Sequence, residues 1–186
     1  MIKDRQDISE IRKAVHFVID AHDGQFRKFS GKEYAYHPVE VAKIVRHHKQ
    51  SKDHKEKICI AALLHDTVED CKHKGITYDV IEEHFGEMVR SIVYELTSDP
   101  KEIQKIGKAP YLLGKMLKMT SYALVIKLAD RLHNCSDLGK GSEKFRTKYV
   151  KETRFILDGL KDRYLSDTHK ELISKIDSKI SIYENI

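Results

Sequence analysis

Residues 58–70 read ICIAALLHDTVED, an apolar run that ends in one imidazole and three carboxylates. Within the run, apolar residues recur at intervals of three and four, as they do on the buried face of a helix. The same spacing recurs along the chain, where only 9 glycines and 3 prolines interrupt 186 residues. The sequence therefore predicts an all-α fold, a bundle of about eight to ten helices in which the helix at 58–64 is strongly buried.

The same periodicity places the other helices. A first helix runs to about His22, and Pro38 opens the second helix after an aperiodic loop. Thr77 is expected to cap a short helix, which Gly86 ends or kinks. The remaining helices are expected at 87–97, 101–118, 120–133, 147–164 and 168–183.

Composition and charge limit the classes of function. The 34 basic and 29 acidic side chains give a net charge of +5, which is weak support for nucleic-acid binding and equally compatible with a small anionic substrate. No apolar run approaches the roughly 20 residues that span a bilayer, and the N-terminal residues lack the apolar centre of a secretory signal. A cytoplasmic protein with no membrane partner is therefore expected. The three cysteines form no CxxC pair, so neither a disulfide framework nor a thiolate zinc site is indicated.

The polar end of the quoted segment is a candidate metal site. On a helix, His65 and Glu69 share one face and Asp66 and Asp70 share the adjoining one, so four polar groups can converge. Burying such a cluster without a counter-charge is costly, and a divalent cation is its simplest neutraliser. Imidazole and carboxylate together suit manganese, iron or zinc. The alternative is a solvated helix end with a capping carboxylate.

Two distant residues extend this candidate site. His37 stands at the start of the second helix, and Asp130 lies in the apolar segment 125–134, VIKLADRLHN. The alternatives are an ordinary core or surface histidine for His37 and, for Asp130, an intrahelical pair with Lys127 or Asn134. Joined to the His-Asp pair of the quoted segment, the two would complete a set of two nitrogens and two carboxylates. Such a set leaves positions open for water and substrate, as a catalytic site requires.

Motifs spread over most of the chain resemble, in order and spacing, the hydrolase domain of the RelA/SpoT family. They are GQFRKFSG at 24–31, Tyr34 with HPVEVA at 37–42, HDTVED at 65–70, FG at 85–86 and KLADRLHN at 127–134. The resemblance implies a single HD-type phosphohydrolase domain over 1–186, with a core at about 7–165 and a C-terminal amphipathic helix that continues to 186. The synthetase and regulatory domains of long family members have no counterpart here, so a stand-alone small alarmone hydrolase is expected.

The resemblance also implies a function and a cofactor. Family members of this type use manganese to remove pyrophosphate from the 3′ position of ppGpp and pppGpp. This reaction yields GDP or GTP and degrades the alarmone of the stringent response. One Mn²⁺ per chain and a nucleotide substrate are therefore expected. Some animal relatives also remove the 2′-phosphate of NADPH.

Residue roles carry over motif by motif. The resemblance assigns metal ligation to His37, His65, Asp66 and Asp130, and catalysis to Glu69 and Asp70. It assigns substrate contacts to Arg27, Lys28, Ser30, Asn134 and Tyr149. The chemistry agrees, because a cation-bound water loses its proton near neutral pH and a nearby carboxylate can orient that water or take the proton. Arginine grips phosphate oxygens in bidentate fashion, and lysine serves as a point charge.

Other interpretations stay open at this stage. Without the resemblance, the Arg-Lys pair at 27–28 could be a solvated basic loop, and Asn134 could be a helix C-cap. The site fixes a reaction class but not the base, so a phosphohydrolase of another nucleotide, such as NADPH, is an alternative. A basic helical nucleic-acid-binding module with a vestigial site is a weaker one, since such a scaffold need not keep all four ligands and both acids. Homo-oligomerisation is left open by the sequence.

Overall fold

The computed structural model describes residues 2–48 and 54–184, and within them the chain forms eleven α-helices, some of them very short. In chain order the helices are α1 Ile2–Ala21, α2 Tyr36–His48, α3 Lys55–Leu64, α4 Thr67–Asp70, α5 Tyr78–Phe85, α6 Glu87–Leu96, α7 Pro100–Ile106, α8 Lys108–Lys118, α9 Ser121–Ser136, α10 Glu143–Gly159 and α11 Asp167–Ser181. Extended pairing in the described ranges is limited to one isolated bridge between Phe26 and Glu33. The predicted all-α fold is confirmed.

The chain divides into two compact units, residues 1–97 and 98–186. The first unit is built around α3, which packs against α1, α2 and α6 and in which every residue from Ile58 to Leu64 is buried. In the second unit, α9 packs on α11, and α10 packs on α8 and α11. A single HD-type domain over 1–186 stays a prediction. Among the described helices, none combines the length and apolar character needed to cross a membrane.

Two glycines decide where neighbouring helices end. Thr77 caps α5 as predicted, with its hydroxyl accepting a hydrogen bond from the Val80 amide, and Gly86 ends that helix at φ +87°. The predicted single helix at 101–118 is wrong, because Gly107 at φ +86° separates α7 from α8. Side chains other than glycine rarely adopt a positive φ, so a glycine inside a helical pattern can be the residue that breaks it. The helical spacing of apolar residues continues on both sides of Gly107, so the sequence pattern did not reveal the break.

Candidate active site

The polar segment after α3 forms a turn rather than the continuation of one helix. α3 ends at Leu64, His65 and Asp66 form a turn, and α4 begins at Thr67. The Thr67 hydroxyl donates to the Leu64 carbonyl at 2.8 Å, which satisfies an acceptor left over at the end of α3. The assumption that His65 and Asp66 belong to a single helix with the acids that follow is therefore wrong.

His37, His65 and Asp66 bring three ligand atoms together in the first unit. Oδ2 of Asp66 lies 3.0 Å from Nε2 of His65 and 3.6 Å from Nε2 of His37. The two imidazole rings are 5.2 Å apart at an angle of 66°, and both histidines are buried. His37 reaches this point from the first turn of α2, and the other two reach it from the turn after α3. The predicted convergence of these three side chains is present.

The protonation of His65 shows that this cluster fits a cation. Nδ1 of His65 lies 2.8 Å from the carbonyl oxygen of Ala62, which can only accept, so Nδ1 carries the ring proton. In the neutral ring Nε2 then presents a lone pair toward the carboxylate of Asp66, which is also an acceptor. Only a proton or a metal ion between them makes that approach favourable. Metal-binding histidines commonly hold their other ring N–H in this way, and nitrogen with carboxylate suits a divalent transition ion.

Tyr34 joins the cluster from the loop that precedes α2. Its hydroxyl donates to Oδ2 of Asp66 at 2.8 Å. The loop is shaped by main-chain hydrogen bonds from Arg27 to the Lys32 carbonyl and from Tyr34 to the Gln25 carbonyl, each 2.8 Å long. Tyr34 stood among the motif residues, but no role had been predicted for it.

Glu69 and Asp70, the predicted catalytic acids, form the end of α4 and are exposed residues. Loss of hydration, reinforced by the negative charges of Asp66 and Glu69, raises the pKa of Asp70 to about 6, against the opposing hydrogen bond from Tyr34. The carboxyl is thus poised to exchange a proton near neutral pH. Because Asp70 is exposed, solvent screens part of this effect.

The predicted substrate loop presents two cations. The Arg27 guanidinium lies 6.0 Å from the centre of the Tyr34 ring, and the Lys28 ammonium lies 5.5 Å from the Phe29 ring. Arg27 and Ser30 are half-buried, whereas Lys28 is exposed. The Arg27–Tyr34 contact ties the loop to the carboxylate cluster, so a phosphate bound at the loop would lie beside that cluster.

Asp130 is buried on α9 in the second unit, where it has two neighbours on its own helix. Its Oδ2 atom lies 3.1 Å from the Lys127 ammonium, and its Oδ1 atom accepts a hydrogen bond of 2.6 Å from the Asn134 amide. Both intrahelical pairs that the sequence had offered as alternatives are therefore present. Ligation by Asp130 and nucleotide contact by Asn134 stay predictions.

Tyr149 on α10 lies over a buried ion pair. The Arg131 guanidinium is 5.1 Å from the Tyr149 ring and donates to Glu152 at 3.0 Å and to the Thr153 hydroxyl at 2.8 Å. Burial raises the pKa of Tyr149, against the positive charge of Arg131. The ring is thus held by the packing of the second unit, and its contact with a nucleotide stays a prediction.

Two buried histidines and an adjacent aspartate that converge on one point fit a catalytic metal site. The family model described as HD domain matches residues 14–163. This chain belongs to the HD-domain family.

Relatives of known activity lie close in sequence and in fold. The guanosine-3′,5′-bis(diphosphate) 3′-pyrophosphohydrolase MESH1 of Xenopus tropicalis is 38% identical over 133 residues, which cover 71% of each chain. Human MESH1 is 32% identical over 177 residues, or 91% of this chain and 96% of that protein. A solved structure described as a metazoan ortholog of SpoT that hydrolyzes ppGpp matches with a TM-score of 0.80 at 26% identity, over 95% of this chain and 97% of the other. The predicted resemblance to RelA/SpoT-type hydrolases is confirmed.

Proposed function

We propose that this chain hydrolyses ppGpp and pppGpp at the 3′ position, giving GDP or GTP and pyrophosphate. The convergence of His37, His65 and Asp66 beside a cationic loop carries the proposal, because it supplies a metal site next to a phosphate-binding segment. The two MESH1 relatives, which match 71% and 91% of this chain, bear the 3′-pyrophosphohydrolase name, and this supports the choice of substrate. Degradation of the alarmone in the cytoplasm is the corresponding biological role.

The metal is proposed to be one Mn²⁺ per chain. His37, His65 and Asp66 would hold it, with Asp130 as the fourth ligand, which is supported by the occurrence of a buried carboxylate in the family motif at 127–134. A divalent ion bound there supplies a lowered pKa for a coordinated water and polarises a phosphoryl oxygen. A set of two imidazoles and two carboxylates favours manganese over thiolate-preferring ions.

Glu69 and Asp70 are proposed to act in proton transfer during hydrolysis. Water attacks the phosphorus bonded to the 3′ oxygen, and an ionised carboxylate at the end of α4 accepts the proton that this water loses. The bond between phosphorus and the 3′ oxygen breaks, pyrophosphate departs, and the 3′ oxygen takes up a proton to become a hydroxyl. The raised pKa of Asp70, about 6, suits a group that gains and loses a proton near neutral pH.

The substrate is proposed to be held at both ends. Arg27, Lys28 and Ser30 would bind the pyrophosphate, since their loop is tied to the carboxylate cluster through Tyr34. Asn134 and Tyr149 would contact the nucleoside, on the strength of their positions in the family motifs. Charge-assisted bonds from arginine to phosphate are among the stronger polar contacts in proteins.

A nucleotide panel tests the proposal. Purified protein with MnCl₂ is incubated with ppGpp, pppGpp, NADPH and GTP, and pyrophosphate and orthophosphate are assayed separately, with Asp66→Ala as the blank. We expect pyrophosphate to be released from ppGpp and pppGpp by the wild-type protein and not by the Asp66→Ala blank. Orthophosphate from NADPH without pyrophosphate from ppGpp would assign the site to another nucleotide. No metal-dependent release from any of the nucleotides would overturn the proposal.

A further inference from the structure

A layer of side chains stands behind the carboxylates of the candidate site. The His22 ring stacks on the Tyr34 ring with centres 4.7 Å apart and an interplanar angle of 28°. The Tyr34 hydroxyl donates to Oδ2 of Asp66 at 2.8 Å. The layer therefore contacts the proposed ligand Asp66, while its own members belong neither to the ligands nor to the catalytic acids.

The next residues in the layer fix His22. Its Nδ1 atom lies 2.8 Å from Oε1 of Gln25, an oxygen that only accepts, so Nδ1 carries the proton and donates it. The Cys71 sulfur is 3.4 Å from the same nitrogen and 3.8 Å from the Gln25 amide nitrogen. His22 is 2% exposed, so the ring has little room to rotate. The chain after α1 is thus tied to Cys71, the residue that follows α4.

We propose that Tyr34 is a positioning residue for the metal site, and that His22 and Gln25 hold it in place. The inference rests on the proposed function in taking Asp66 as a metal ligand. A carboxylate in a turn can rotate about its side-chain bonds, and a hydroxyl at 2.8 Å restricts that rotation. Groups that hydrogen-bond to a ligand typically contribute ten- to a hundredfold to metal affinity or to activity.

Tyr34 acts on Asp66 through its hydroxyl. A phenol has a single hydrogen, and in the structure that hydrogen is donated to Oδ2 of Asp66. A purely structural role for Tyr34 would place its contribution in the ring, through the stacking with His22, and not in the hydroxyl.

The test compares Tyr34→Phe, which removes only the hydroxyl, with Tyr94→Phe. Tyr94 lies on α6, is 59% exposed and belongs to the same unit, so it is a matched control. Titration calorimetry with MnCl₂ on metal-free protein is expected to show about tenfold weaker binding for Tyr34→Phe and an unchanged Kd for Tyr94→Phe. The thermal midpoints of the metal-free proteins should agree within a few degrees, since the ring and its stacking remain.

Kinetics at saturating Mn²⁺ supply a second readout. Tyr34→Phe is expected to lower kcat by about tenfold with KM for ppGpp within about twofold of wild type, because the substrate loop is untouched. Wild-type Mn²⁺ affinity together with wild-type kcat in Tyr34→Phe would overturn the proposal. If the wild-type chain proves inactive on ppGpp, the proposed function fails, while the calorimetric comparison still decides the role of Tyr34.

A double-mutant cycle tests the link through the ring. His22→Ala is expected to weaken Mn²⁺ binding in the wild-type background but to add little in the Tyr34→Phe background, because its effect passes through the hydroxyl. Fully additive losses would overturn the role given to His22. Gln25→Leu, which keeps the size of the side chain, repeats the measurement if His22→Ala does not fold.

Discussion

His65 and Asp66 are neighbours in the chain, yet Nε2 of the first lies 3.0 Å from Oδ2 of the second. In the turn that follows α3, both residues keep right-handed helical backbone angles, with φ −58° and ψ −29° at His65 and φ −104° and ψ −8° at Asp66. With Nδ1 of His65 committed to the Ala62 carbonyl, the contact joins two acceptors. Two adjacent residues thus supply half of the proposed metal site.

Substitution of either His65 or Asp66 by alanine should abolish metal binding and turnover. For His65→Ala and Asp66→Ala we expect no measurable hydrolysis of ppGpp. In the wild-type protein, Mn²⁺ at about 100 times its Kd stabilises by about 2.7 kcal/mol, or roughly 5–10 °C in the thermal midpoint. That rise should be missing in both variants and present in His73→Ala, which removes an exposed histidine near the end of α4. Full activity of Asp66→Ala after chelation would contradict the assignment.

Substitution of Glu69 or Asp70 should lower the rate of hydrolysis more than it lowers metal binding. Glu69→Gln and Asp70→Asn keep the size of each side chain and remove its basicity, so kcat should fall by roughly a hundredfold or more. Metal content, measured by atomic emission on dialysed protein, should stay near one ion per chain, as in wild type. Parallel loss of metal and rate would instead identify these residues as ligands.

Arg27, in the loop before α2, should contribute to binding of the 3′-pyrophosphate. Arg27→Ala is expected to lower kcat/KM for ppGpp by about ten- to a hundredfold, as for the loss of one charge-assisted contact of about 1.5–3 kcal/mol. The loss should be larger for ppGpp than for a nucleotide with a single 3′-phosphate. Lys32→Ala is the matched control, since Lys32 belongs to the same loop but lies 3.8 Å from the Tyr36 ring. An equal loss for both substrates would show that Arg27 does not sense the second phosphate.

The sequence was informative where local patterns determine structure. The spacing of apolar residues predicted α3 and its burial, and Thr77 was recognised as a cap because the capping contact spans only three residues. The break at Gly107 was missed because the apolar spacing persists on both sides of it. A glycine at positive φ cannot be distinguished by sequence from one that a helix tolerates.

In the candidate site, too, local features could be predicted from the sequence and tertiary contacts could not. The proposed ligands and acids are contiguous or lie in motifs, so residue type and spacing could suggest their chemistry, and the family resemblance assigned their roles. The contact of Tyr34 with Asp66 joins residues 32 positions apart, and that of His22 with Cys71 joins residues 49 apart. Tertiary hydrogen bonds of this kind leave no periodicity, so they become visible only once the helices are packed.

His169 is expected to make the stability of the protein depend on pH. The Ser166 amide donates to its Nδ1 at 3.1 Å, so the proton of the neutral ring is on Nε2, which donates to the Ser121 carbonyl at 3.0 Å. Burial lowers the pKa of His169 below 6.5, the nearby Arg163 charge acts in the same direction, and the bond to Ser121 opposes them. A proton added to Nδ1 would break the bond from the Ser166 amide, whereas the Ser166 hydroxyl oxygen, 2.9 Å from Nδ1, could accept a bond from it.

The sign of the pH effect follows from that lowered pKa. Just below pH 6.5 the unfolded chain binds more protons at His169 than the folded one does, so stability should fall as the pH drops through 6.5 and level off below the folded pKa. The slope from one such group is at most about 1.4 kcal/mol per pH unit. Burial also lowers the pKa of His22, so His22 contributes to the pH dependence in the same direction.

The contribution of His169 is isolated by comparing wild type with His169→Gln. For each protein, the urea midpoint is measured at pH 5.5 and at pH 8. Glutamine can keep both hydrogen bonds without titrating, so the variant should lose less stability on acidification, whereas His73→Gln should behave as wild type. Equal losses in wild type and His169→Gln would show that His169 takes up its proton equally in both states.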